Sequence, residues 1–263
     1  MRTKKKKVHR ARPWVKKTPA TKPISGPVHP WRVCPVGQHY RRATTVRPHV
    51  RGGHPIKGGP RSGTCVDNPS GKDQLYDLEM HEIAERHFEQ FRSFPLGSIQ
   101  EFKNSTYPQN AYDHLIQGWT QYWNDVLKPN VPLDPKLVKA LIATESGFNP
   151  SSWNGKRGPK RARGLTQVTD GSVQRMKHKS PEFTDHYLHL NEDDMLDPNL
   201  TICAGVRWLH RKKRLASGKL GREATWIEAI AEYKSYLKPF MKNPNHTQMR
   251  RFITFYEELK NAP

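Results

Sequence analysis

Acidic side chains are almost missing from the first 70 residues, which hold Asp67 and no other acid against 17 Lys and Arg. A block so one-sided repels itself and seeks polyanions, whether nucleic acid, anionic lipid or anionic wall polymer. Cysteine is scarce as well: Cys34, Cys65 and Cys203 are the three in 263 residues, too few for a disulfide-framework fold. No run approaches the roughly 18 apolar residues needed to cross a bilayer, so no integral membrane segment is expected. The basic start from Arg2 to Lys7 is not followed by the apolar stretch of a secretory signal. The expectation is synthesis in the cytoplasm without a classical signal peptide, with any substrate outside the membrane reached by another route.

The formal net charge is +21, from 45 Lys and Arg against 24 Asp and Glu, and the apolar fraction is 34%. Beyond residue 70 the charge balance is that of an ordinary folded domain. The length accommodates one domain plus an extension. We read residues 1–72 as a basic Pro- and Gly-rich extension, 73–131 as a helical lead-in packed on the domain that follows, and 132–263 as that domain.

The extension is rich in Pro and Lys without apolar periodicity, so it buries too little surface to offset chain entropy and is expected to be mostly disordered. Its second half holds Cys34 and Cys65 with His39, His49 and His54. Three readings stay open: a zinc-stabilised knuckle, although no C-x₂-C or H-x₃-H unit is present; a basic loop with incidental histidines; and a Cys34–Cys65 disulfide formed in an oxidising compartment. Cys203 falls in a helical pattern and reads as a small core residue.

From Asp73 onward apolar residues recur at helical spacing, so the body is expected to be all-α. Helices are predicted at about 73–93 and 111–127, the second with a broad aromatic face better explained as core than as a sugar platform. Asp134-Pro135 and Asp197-Pro198 each pair a capping residue with proline at the first helical position. A short helix is predicted at about 165–177, and Thr225-Trp-Ile-Glu228 has the form of a capping box opening the next. A last helix is expected at about 247–260. The stripe Leu137, Val138, Leu141, Ile142 continues, four residues after Leu141, to Glu145. An ionisable group has replaced the next core residue. A carboxyl on the core side of a helix end loses hydration, which disfavours the charged form and suits a general acid. Alone, such a residue reads first as a buried structural Glu held by Arg or by backbone donors, and second as an acid.

Its company changes the reading. ESGFNP from Glu145, GLTQVT from Gly164, DPNLTICAGVRWL from Asp197 and AIAEYK from Ala229 follow in order. Together they resemble the lysozyme-like lytic transglycosylases of the soluble (SLT) type and their goose-type lysozyme relatives. Those enzymes carry Glu-Ser-x-Phe, Gly-Leu-Met-Gln, Asp-Pro-x-x-Asn-Ile-x-x-Gly-x-x-Tyr-Leu and Ala-Tyr-Asn. The resemblance covers about residues 132–240 and implies a lysozyme-like helical domain. It also implies Glu145 as the catalytic acid, Ser146 near the acid or the substrate's acetamido group, Gln167 lining the cleft, and Tyr233 approaching the catalytic carboxylate. Two positions depart from it. Thr166 stands where the family has Met, at a sugar subsite, and Lys234 where it has Asn, placing a cation that either weakens the acid or binds an anionic lactyl or peptide group.

The resemblance thus implies a peptidoglycan-cleaving muramidase, more a lytic transglycosylase than a lysozyme, cutting the β-1,4 bond between N-acetylmuramic acid and N-acetylglucosamine. No metal or organic cofactor is required. A hydrolytic route needs a second carboxylate, for which Asp170 is the candidate, with an N-terminal cap of a short helix as its plain alternative. The partners expected are peptidoglycan glycan strands and, through the basic tail, an anionic polymer, with the protein acting as a monomer delivered to the wall by phage lysis or a secretion system. The competing function is an inactive lysozyme-like scaffold, binding nucleic acid or an assembly partner through the tail.

Overall fold

In the computed structural model, residues 30–262 are described apart from 42, 47, 48, 52, 53, 57, 58, 62, 71, 72, 179–182 and 184. The disorder expected of residues 1–29 lies outside them.

The second half of the extension departs from the expectation of disorder. Strands β1 (Gln38–Arg41), β2 (Thr44–Val46), β3 (His49–Arg51), β4 (His54–Ile56), β5 (Gly59–Arg61) and β6 (Thr64–Asp67) pair antiparallel as β1 with β6, β2 with β5 and β3 with β4, in one unbroken register. At its base Cys34 and Cys65 form a disulfide across 31 residues, so neither thiol is left for zinc. In the chain-entropy picture, closing a loop of that length removes about 3–4 kcal/mol of unfolded-state freedom. The covalent link and the Thr- and Val-bearing strands supply what the missing apolar stripe does not.

The hairpin is tied to the body through Arg32. Its guanidinium meets the Glu79 carboxylate with two bonds of 2.8 and 3.1 Å, reaches the Gln38 carbonyl at 2.9 Å and pairs with Asp73. Asp73 also bonds His186 at 2.8 Å. These partners hold the Asp73 carboxyl below its ordinary value against the opposing effect of burial, with the His186 bond the leading cause of the lowering and Arg32 next.

The body is helical, as read from its periodicity: α1 (Asp77–His87), α2 (Asp113–Leu127), α3 (Pro135–Ser146), α4 (Asp170–Lys177), α5 (Pro198–Leu220), α6 (Trp226–Tyr233), α7 (Leu237–Lys242) and α8 (Thr247–Asn261). Two short strands interrupt it, β7 (Gln74–Tyr76) lying parallel to β8 (Tyr187–His189). The helix expected to start at Asp73 therefore starts at Asp77 and passes into a 3₁₀ turn over Glu89–Ser93. Among the described residues no helix is long and apolar enough to cross a membrane.

The caps form as the side chains dictate. Asp134 accepts from the Lys136 amide, Asp197 from those of Asn199 and Leu200, and Thr225 with Glu228 closes the capping box. The aromatic face of α2 is core: Trp119, Tyr122 and Trp123 are buried, and the two indole N–H groups donate to Asn199 Oδ1 at 2.7 Å and the Cys203 carbonyl at 3.1 Å on α5. Cys203 is a buried free thiol. One continuous apolar cluster runs from Leu75 to Leu259, so the 73–131 segment shares its core with the rest.

Candidate active site

The end of α3 sets the position of Glu145. Gly147 caps the helix in the left-handed region at φ 57°, and Phe148 follows there at φ 66°, a conformation that side-chain-bearing residues rarely adopt. Phe148 is fully buried and packs edge-on against Phe102, ring centroids 5.1 Å apart. The chain turns sharply into the core and leaves Glu145 in the last helical turn, its side chain 19% exposed.

Gln167 lies in the second segment. Leu165 to Thr169 is a turn followed by irregular chain rather than helix; α4 begins at Asp170 with Thr169 as its cap, accepting from the Ser172 amide. The turn before it needs glycine: Gly164 sits at φ 76°, and a Cβ there would collide with the Met195 carbonyl. Gln167 is itself left-handed at φ 50°, and its amide donates to the carbonyls of Ser152 at 3.0 Å and Gly164 at 2.8 Å.

Thr166 corrects an expectation. It is fully buried, its hydroxyl within 2.9 Å of both the carbonyl and the hydroxyl of Thr201, and its methyl rests where a Cβ on Gly205 of α5 would have to be. It supports the site from beneath instead of lining a sugar subsite, because the α5 surface at Gly205 leaves room there for a small side chain. Its carbonyl accepts the Tyr233 hydroxyl at 2.6 Å. Burial and then the Glu145 charge push the Tyr233 phenol well above its ordinary value.

Lys234, the C-cap of α6, completes the group. Its ammonium donates to Glu145 Oε1 and, at 3.1 Å, to the Thr144 hydroxyl, with its side chain 8% exposed. Ser235 then turns left-handed at φ 65°, directly after the end of α6. Ser146 bonds back to the Ile142 carbonyl at 3.2 Å. Of the five non-glycine residues with positive φ among the described residues, Phe148, Gln167 and Ser235 fall within this group or directly beside it, the clustering typical of functional sites.

Asp170 has a different setting. It is buried at the start of α4 and pairs with Arg161 at 2.8 Å and Arg163 at 3.4 Å. A second carboxylate for catalysis would have to leave both guanidinium groups, so the arrangement makes Asp170 an anchor for the 152–163 segment. Sequence reading missed Arg161, Arg163 and Thr144 as partners; the run KRGPKRAR beside a buried acid was the available signal for the first two.

What the group can do chemically is limited and clear. A carboxyl group and an ammonium meet at a partly open helix end, a pair able to exchange a proton with a bound ligand and to hold an anion.

Residues 126–251 match the family model described as the Transglycosylase SLT domain. Among solved structures, the cellulase CtCel124 from Clostridium thermocellum aligns at 15% identity and a TM-score of 0.33, over 63% of this chain and 85% of that one. The 70 kDa soluble lytic transglycosylase SLT70 from Escherichia coli aligns at 16% identity and a TM-score of 0.31, over 70% of this chain and 33% of that one, so the chain spans about a third of its length. No curated protein matches the sequence.

Proposed function

We propose that the protein, whose residues 126–251 match the Transglycosylase SLT domain, cleaves the β-1,4 bond between N-acetylmuramic acid and N-acetylglucosamine in peptidoglycan, with Glu145 as proton donor. The observation that carries this reading is the Glu145–Lys234 contact at the end of α3, with Tyr233, the residue before Lys234, anchored on the carbonyl of Thr166 next to Gln167.

An ion-paired carboxylate has no proton to give, so the Glu145–Lys234 pair describes the resting site. Substrate entry must draw the ammonium away, and the lactyl-linked peptide of the muramic residue offers it carboxylates. Glu145, then protonated, donates to the bridging oxygen while the C1–O bond breaks and the ring flattens toward an oxocarbenium ion. The Glu145 carboxylate next takes the proton of the muramic C6 hydroxyl, whose oxygen closes on C1. The product is a 1,6-anhydro sugar, no water is consumed, and Glu145 ends protonated as it began the step.

We favour this route over hydrolysis because Asp170, the candidate second carboxylate, is held by Arg161 and Arg163. The proposed place of action is the wall, reached by phage lysis or a secretion system, in keeping with a disulfide that persists in oxidising surroundings. The Glu145–Lys234 pair also favours a second reading, an inactive scaffold whose basic tail binds an anionic polymer. Mass spectrometry of purified sacculi decides: anhydro-muropeptides from the native chain and none from Glu145→Gln support cleavage. No product at all, with salt-sensitive DNA binding, supports the scaffold.

A further inference from the structure

Between Glu145 and Gln167 the chain projects a short finger, residues 152–163. Its root is fixed from both sides: the Gly164 amide donates to the Ser152 carbonyl at 2.8 Å, and the Gln167 side chain donates to the same carbonyl. Trp153 bridges Arg163, the Asn154 amide meets the Ala162 carbonyl at 3.1 Å, and Arg161 and Arg163 pair with Asp170. The Asn154 side chain bonds the Lys160 carbonyl and the Lys156 and Ala162 amides. The backbone is thus held by its own hydrogen bonds.

What this frame presents is unusual for a loop without a task. Trp153 is 61% exposed, a large apolar area left in water. Lys156, Arg157 and Lys160 are exposed beside it in the chain, and among the described residues their side chains make no ion pair. A solvated charge run needs no tryptophan, and a core tryptophan would not stand in water. An aromatic face with adjacent free cations suits a ligand that combines a flat apolar face with negative charge, and the apolar C–H face of a pyranose ring bearing carboxylates has that combination.

We propose that residues 153–160 form an accessory glycan-binding finger at the rim of the site: Trp153 takes a sugar ring, and Lys156, Arg157 and Lys160 take the carboxylates of stem peptides. This rests on the peptidoglycan reading above and adds to it a contact outside the four motifs. The finger joins the Gln167 segment through the Ser152 carbonyl.

The test is calorimetric titration of the full chain in a Glu145→Gln background with two probes, neutral chitohexaose and uncrosslinked peptidoglycan strands carrying stem peptides. Trp153→Ala should weaken both by about tenfold, Trp153→Phe should restore most of the loss, and the triple Lys156→Ala, Arg157→Ala, Lys160→Ala should weaken the peptide-bearing strands by about tenfold and leave chitohexaose unchanged. Parent-like binding by the variants, or no glycan binding by the parent, overturns the proposal. So does a larger loss for a single-stranded oligonucleotide than for the strands in the triple variant, which would mark the finger as a nucleic-acid contact. Cleavage with indifferent finger variants strikes the finger alone; finger-dependent binding without cleavage by the native chain strikes the activity alone.

Discussion

Lys234 Nζ and Glu145 Oε1 form an ion pair across the junction of α3 and α6, with the Thr144 hydroxyl as the ammonium's third-party acceptor. The pair keeps the candidate acid from acting until a ligand competes for the cation. Lys234→Asn should therefore raise turnover on neutral chito-oligosaccharides and raise KM for peptide-bearing strands. Steady-state kinetics on the two substrates checks this; a fall in both would mean the ammonium serves the chemistry directly.

Burial governs a second ionisable pair. Lys139, on the α3 face that is otherwise apolar, is fully buried and donates to the Gly97 carbonyl and Asn110 Oδ1 at 2.6 Å each and to Asp113 Oδ2 at 2.9 Å. Removing one partner leaves an uncompensated charge, so Lys139→Met should destabilise the chain by roughly 3–5 kcal/mol. Adding Asp113→Leu should recover part of that loss. Urea titrations of the single and double variants measure both.

His210 supplies a pH dependence. Burial first, and then Arg207 and Lys213, press its ring down to about 3 from an ordinary value of 6.5. Between those values the unfolded chain binds a proton that the folded chain refuses, so stability falls as pH drops from about 6.5 toward 3, at up to about 1.4 kcal/mol per pH unit. Thermal melts across that range should show the slope, and His210→Leu should flatten it.

The Cys34–Cys65 bond closes the hairpin of β1 to β6. Reduction should open residues 38–67 to protease while α1 to α8 stay protected, with a loss of about 3–4 kcal/mol confined to the hairpin. Limited proteolysis with and without a reductant reads this directly.

Much of the helical body was legible because its signals are local. Asp134-Pro135, Asp197-Pro198 and the Thr225–Glu228 box act on their own amides, and each marks a helix start where the structure has one. Glu145 was legible as an ionisable group on an apolar stripe. Its nearness to Lys234 was legible through the resemblance alone, because 89 residues separate them and a helix period says nothing about which end meets which. Lys139 was missed for the related reason that its three partners come from another helix and two loops. Thr166 was misread because its environment is set by Gly205, and the hairpin because its order depends on pairing and a covalent bond.

Gly164→Ala isolates the backbone of the second motif. The left-handed φ of 76° and the Met195 carbonyl in the path of a Cβ predict a loss of roughly 2–3 kcal/mol, read as a shifted urea midpoint at unchanged slope.

Helix ends are ordinarily where a protein opens first, as the last amides trade hydrogen for deuterium through fraying. The last turn of α3 is built against that habit. Gly147 and Phe148 both leave the helix left-handed, and the Phe148 ring is locked against Phe102 in the core, so unwinding by one residue would pull a phenyl group into water. The amides of Ala143 to Gly147 should exchange as slowly as those of the helix middle. The ordering of Glu145 is then completed when the chain folds, and an incoming ligand meets a carboxyl group already held in place.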